Sequence, residues 1–144
     1  MSEEARRSVG LERLAFARYE ATNARGGKLA IGSGEDSDFT PVELLLAAIA
    51  GCSAIDVDHI TSKRSEPDQF EVQISGNKIR GDADNCMTNL TMTFNVAFPY
   101  DEGGARAQAV LPRAVAQSHD RLCTVSRTVE IGTPIAVEVN VAGE

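Results

Sequence analysis

The stretch Thr40–Asp58, TPVELLLAAIAGCSAIDVD, constrains this chain more than any other. Thr40 is a good N-cap, Pro41 suits the first helical position, and Glu43 stands three residues after the cap to close a capping box. The helix so begun is apolar on nearly every side, and such a helix must be buried on nearly every side. Its expected end lies near Thr61–Ser65, where Lys63 and Arg64 suit a helix C-terminus and Pro67 forbids continuation. Cys52 sits in its middle, so that thiol is either inert packing or the centre of the chemistry.

The elements around this helix are shorter. Residues from about Leu11 to Ile31 suggest two strands, near FARYEA and KLAIG, joined by a turn at Asn23–Gly27; Gly32–Asp38 is a polar loop. Phe70, Val72 and Ile74, then Leu90, Met92, Phe94, Val96 and Phe98, alternate with polar or small partners on either side of a GDADN turn. Period two of that kind predicts half-buried antiparallel strands. Ala105–Leu122 reads as a second helix with a boundary or kink at Pro112. Val125, Arg127, Val129 and Ile131, then Ile135, Val137, Val139 and Val141, suggest a closing strand pair around a Gly-Thr-Pro turn. The expectation is a single domain over 1–144, α+β, with a mostly antiparallel sheet. One half-apolar sheet leaves much of the central helix uncovered, which predicts a homodimer.

Charge and cysteine usage narrow the function classes. A net charge of −7 argues against nucleic acid, whose phosphates need a basic footprint. The N-terminal MSEEARRSVGLERL lacks the apolar core of a secretory signal. The longest uninterrupted apolar run, Leu44–Cys52, is less than half of the ~20 residues a bilayer requires, so no membrane partner is expected. Cysteines at 52, 86 and 123, odd in number and sparse, suit reduced thiols in the cytoplasm.

Several residues are candidates for chemistry. Cys52 lies twelve residues past the cap, roughly 18 Å along the axis, beyond the reach of its own helix dipole. Asp56, one turn on, opposes its ionisation, so a reactive Cys52 needs a cation from elsewhere in the fold. Cys123 follows His119 by four residues in SHDRLCTVSRT, a spacing that suits either a buried thiol near a helix end or the start of a metal site. Cys86 reads as a semi-exposed free thiol. Glu43 is occupied by capping, Asp56 and Asp58 point in different directions, and His59 is a minor candidate on the Cys52 side. Hydrolase, zinc-protease, Walker and dinucleotide fingerprints are absent from the sequence.

Two segments carry a resemblance. PVELLLAAIAGCSAIDV, followed some seventy residues later by AVAQSHDRLCTVSRT, closely resembles the osmotically inducible protein C/organic hydroperoxide resistance (OsmC/Ohr) family, from about residue 12 to 141. The resemblance implies an intertwined α+β homodimer with paired sites at its interface. It implies a first-helix cysteine, here Cys52, that attacks the O–O bond of an organic hydroperoxide and becomes a sulfenic acid. A second cysteine, here Cys123, resolves it as a disulfide, and an external dithiol, often lipoyl-linked, restores the pair without a bound cofactor or metal. In the peroxidase branches a glutamate directly follows the helix-start proline, a position held here by Val42. Those branches also bring an N-terminal arginine to the thiolate; this sequence offers Arg18, Arg25 or Lys28. Gly51–Cys52 and the SHxxxC wording look more like a less characterised OsmC-like branch.

The leading expectation is therefore a cysteine-based peroxidase acting on small organic hydroperoxides. Its alternative is a redox-sensing or small-molecule-binding protein on the same fold, which the missing carboxylate at 42 and the acidic Asp56 favour. A third reading builds a metal site from Cys52, Cys123 and His119.

Overall fold

The structure, a computed structural model, describes residues 4–82 and 84–143. The chain divides after Ala47 into two compact units. In the first, β1 (Val9–Ala15), β2 (Arg18–Asn23) and β3 (Lys28–Ile31) form an antiparallel sheet in chain order. Three strands replace the two expected, and the FARYEA segment straddles a reversal in which Ala17 adopts φ 57°. The missed strand, VGLERLA, is exposed along its whole length, so burial never imposed an alternating pattern on it. The turn at Asn23–Gly27 forms as expected. Asn23 Oδ1 accepts the N–H groups of Arg25 and Gly27, and Gly26 takes the positive φ of 88° that glycine tolerates.

The capping box of α1 (Pro41–Thr61) is complete: Thr40 N–H donates to Glu43 Oε1 at 2.8 Å, and Glu43 N–H to Thr40 Oγ1 at 3.2 Å. At 21 residues, α1 is long and apolar enough, by length and composition, to cross a bilayer, with 22% of its apolar window buried. Length and composition alone do not make it a span, since the core helix of a water-soluble protein meets the same criterion. Burial on nearly every side is not what one chain provides. The buried residues are Ile49, Ser53, Val57 and Thr61, a single i, i+4 stripe, while Ile55 is 61% exposed.

In the second unit β4 (Gln69–Arg80) and β5 (Asn85–Ala97) pair as an antiparallel hairpin, longer than the alternation alone predicted. Phe70, Val72 and Ile74 are half-buried and face Val96, Phe94 and Met92 in register; Phe70 and Phe94 meet edge to face at 6.1 Å. The register shifts between Ser75 and Asn77, where a side chain at Gly76 would collide with Leu90. Ala83 of the GDADN turn lies outside the described residues.

α2 (Glu102–Gln117) is capped by Asp101, whose Oδ1 accepts Gly104 N–H at 2.7 Å. It runs through Pro112, so the expected boundary there is absent: Pro112 is exposed, where water can serve the carbonyl it leaves unpaired. A π-helical turn, Ser118–Leu122, follows, closed by Cys123 N–H donating to Ser118 O at 2.9 Å.

Residues expected as a strand at 125–131 instead form α3 (Thr124–Ile131). Its two ends explain the correction. The Cys123 sulfur accepts Ser126 N–H as an N-cap, and Gly132 closes the helix in the left-handed conformation at φ 72°. The strand expected at 135–141 has no assigned structure, and Ile135, Val137, Val139 and Val141 are 72–88% exposed.

Candidate functional site

Both long-motif cysteines belong to the second unit, and the fold brings them together. The sulfurs of Cys52 and Cys123 and a carboxylate oxygen of Asp56 all lie within 4.8 Å of one another. α1 supplies Cys52 and Asp56 one turn apart, while the π-helical turn ends by presenting Cys123 as the N-cap of α3. Cys52 is partly exposed and Cys123 fully buried.

The start of α3 serves both sulfurs. Ser126 N–H donates to Cys123 Sγ at 3.4 Å, and Ser126 Oγ lies 3.2 Å from it. The backbone of Val125 acts on Cys52 in the same sense, holding its thiol down. These amides are the unpaired donors every helix start exposes, and they favour negative charge. The sequence argument ruled out the dipole of α1 for Cys52; the structure supplies the N-terminus of another helix.

The two thiols respond in opposite directions. Burial pushes the Cys52 thiol up, and the adjacent Cys123 and the Asp56 charge add to that rise, against the Val125 backbone. Burial also pushes Cys123 up, but its hydrogen bonds with the Ser126 side chain and backbone, helped by the neighbouring Ser53 hydroxyl and Cys52 thiol, outweigh it, leaving this thiol below its ordinary value. The Ser53 hydroxyl, 1% exposed, finds no hydrogen-bond partner of good geometry among the described residues, yet is close enough to Cys123 to act on it. Asp56 is fixed by Ser118 Oγ, which donates to Oδ2 at 2.9 Å.

Beside this cluster lies an apolar groove of about 420 Å³. Ile49, Ile74, Leu90, Met92, Phe94, Val115 and Val129 line it, with Ser126 on its wall and His119 and Glu130 as its ionisable groups. Ser126 and Ile49 link groove to sulfurs: one hydrogen-bonds Cys123, the other precedes Cys52 by three residues on α1.

The remaining sequence candidates stand elsewhere. His119 lines the groove and is not part of the Cys52–Asp56–Cys123 cluster; Asp56 occupies the third place that the metal reading gave to His119. Arg18 is held by Asp36 at 3.1 Å and Asp38 at 2.9 Å within the first unit. Arg25 is exposed in the β2–β3 turn, and Glu43 is engaged in its cap. His59 is exposed near the end of α1, and Cys86 is exposed on β5. Sequence reading missed Ser53, Ser118 and Ser126. Only Ser126 had a local signal, its i+3 spacing from Cys123, which is the spacing of an N-cap and its acceptor.

Comparison with known proteins bears on the family and the fold. The OsmC-like protein family model matches residues 34–138. The Mycobacterium tuberculosis protein Rv2923c is 34% identical over 132 residues, covering 90% of this chain and 93% of its own length. The Escherichia coli protein YhfA is 32% identical over 100 residues, 69% of this chain and 70% of its own. Among solved structures, the OsmC-like protein VCA0330 from Vibrio cholerae aligns with a TM-score of 0.73 at 15% identity, covering 88% of this chain and 95% of its own. The organic hydroperoxide resistance protein OhrB of Bacillus subtilis aligns at 0.53 and 20% identity, covering 87% and 90%.

Proposed function

The chain belongs to the OsmC-like protein family, and on that premise we propose that it is a thiol-dependent peroxidase reducing small organic hydroperoxides through the Cys52–Cys123 pair. The observation that carries the reading is the placement of both sulfurs within 4.8 Å at the start of one helix, beside an apolar groove. Structural likeness to OhrB, named for organic hydroperoxide resistance, supports a peroxide-related redox role.

In this mechanism Cys52, the more accessible sulfur, attacks the terminal oxygen of ROOH as a thiolate. The O–O bond breaks, the alcohol leaves with a proton, and Cys52 is oxidised to a sulfenic acid. Cys123, held toward its thiolate by Ser126 and Ser53, attacks the Cys52 sulfur. Water leaves and a disulfide forms. An external dithiol of lipoyl type then exchanges with the disulfide and carries the electrons in, so neither metal nor bound cofactor takes part. The groove suits the organic group of the peroxide, with few polar points to orient it.

We read the molecule as a cytoplasmic homodimer in which α1 is a core helix rather than a membrane span. The exposed Ile55 and the exposed alternating face of Ile135, Val137, Val139 and Val141 are the apolar surfaces a second copy would cover. Asp56 within α1, hydrogen-bonded to Ser118, also suits a water-soluble core better than lipid.

A second reading, a redox sensor or small-molecule binder without turnover, draws on the raised Cys52 thiol and its acidic neighbour. Arg18, paired with two aspartates, is not a free activator. The test is consumption of cumene hydroperoxide by the reduced protein with a lipoyl-type dithiol. Wild type is expected to turn over and to lose two thiols per chain when the dithiol is withheld, while Cys52→Ser loses turnover by at least about 100-fold. Full turnover in Cys52→Ser would refute the assignment, and two thiols that survive peroxide in the wild type would favour the binder.

A further inference from the structure

Two thiols and a carboxylate converging within 4.8 Å make a donor set as well as a redox pair. All three ligand atoms belong to groups that are negative when deprotonated. If both thiols ionise, three negative charges meet at a site where Cys123 is fully buried. Buried charges of one sign are costly unless a cation joins them. The Asp56 carboxylate is already oriented by Ser118 through one oxygen, with no hydrogen bond to the other among the described residues, and the Cys123 sulfur is oriented by Ser126 N–H. Such outer hydrogen bonds are what fix ligands around a metal. Ser53 adds a buried hydroxyl without a hydrogen-bond partner of good geometry among the described residues, beside the Cys123 sulfur.

We propose that Cys52, Cys123 and Asp56 form a site for one zinc-class divalent cation in the reduced protein. Mixed thiolate and carboxylate ligands suit a borderline-soft ion with tetrahedral preference. Bonds of about 2.3 Å to sulfur and about 2.1 Å to oxygen place tetrahedral ligands roughly 3.5–3.8 Å apart, so the observed cluster closes on an ion by small side-chain movements. The fourth position is left to water or to the Ser53 hydroxyl. The ion replaces the thiol protons of Cys52 and Cys123, so binding releases up to two protons and tightens as pH rises. Metal binding and peroxide reduction are then mutually exclusive uses of one reduced pair, and the site goes beyond the peroxidase reading without depending on it.

The test uses reduced full-length protein carrying Cys86→Ser, which removes the exposed third thiol. Titration with Co²⁺ under argon is expected to saturate at one ion per chain, with sulfur-to-cobalt charge-transfer absorption and tetrahedral d–d bands that Zn²⁺ then abolishes. Cys52→Ser and Cys123→Ser are each expected to weaken Zn²⁺ binding at least about 100-fold, and Asp56→Asn about 10-fold or more. Unchanged affinity in Asp56→Asn, with its fold verified by circular dichroism, would overturn the three-ligand site. X-ray absorption of the zinc-loaded parent protein decides the matter without variants at the ligand positions: two sulfur and two lighter ligands support the site, whereas four sulfurs or none overturn it. Peroxide turnover is measured separately in chelator, so loss of the peroxidase reading leaves the metal titration intact, and the reverse.

Discussion

Cys52 and Cys123 meet at one site but come from opposite kinds of position. Cys52 stands in the middle of α1, where backbone donors are spent within the helix, and only the Val125 backbone of another helix works to hold its thiol down. Cys123 stands at the start of α3, where donors are unspent, and gathers Ser126 twice. The same desolvation acts on both, yet one thiol ends above its ordinary value and the other below. The difference teaches that burial alone does not set thiol acidity; the supply of donors at the sulfur decides its sign.

The largest expected effect that sharpens this contrast is on stability. Cys123→Ala removes a fully buried side chain that also caps α3, and is expected to cost about 2 kcal/mol. Cys52→Ala, at a partly exposed position, is expected to cost less than about 1 kcal/mol. Urea unfolding of the reduced proteins at matched concentration measures both, and equal costs would erase the distinction.

Reactivity comes next. In the reduced protein with both thiols present and each site followed by peptide mapping, the pH at which iodoacetamide capture of Cys123 is half-maximal is expected below the ordinary thiol value, and that of Cys52 above it. Asp56→Asn should bring the Cys52 midpoint down, because the charge it removes is one that raised it. The linkage signs follow. The Cys52 contribution to stability is full below the ordinary thiol pKa and is lost as pH rises through the raised folded value. The Cys123 contribution is present above the ordinary value and is lost as pH falls through the lowered one. Coincident midpoints would break the comparison.

Ser53→Ala is the smallest change. It deletes a buried hydroxyl without a well-made hydrogen bond, so stability should stay within about 0.5 kcal/mol or rise slightly. The Cys123 midpoint should rise, since Ser53 helps hold it down.

Local chemistry was legible in the sequence wherever one residue fixed one bond. Thr40, Pro41 and Glu43 announced the start of α1, and the alternation of 70–75 and 90–98 announced the β4–β5 hairpin. α3 was misread because Val125, Arg127, Val129 and Ile131 fit a strand face, although Ser126, Val129 and Glu130 meet the groove at helical i, i+3, i+4 spacing. Its ends, a cysteine N-cap and Gly132, held the deciding information. The thiol pair was legible through two motifs read together, and Asp56 was already placed against Cys52. The groove, the Ser53 and Ser118 contacts and the Val125 amide were not, because each joins segments far apart in the chain. The girth of α1 was read correctly as apolar, but one chain buries only its Ile49–Thr61 stripe.

The π-helical turn before Cys123 makes the site sensitive to residue count. Ser118–Leu122 is closed by a bond from Cys123 back to Ser118, one residue wider than an α-helical turn. Because each helical residue advances the direction of a side chain by about 100°, tightening this turn by a single deletion would aim the residue after it away from Cys52 without altering either cysteine. The spacing between Ser118 and Cys123 therefore works as a timing mark for the site: a relative that keeps both thiols but changes this count would keep the ingredients and lose their meeting.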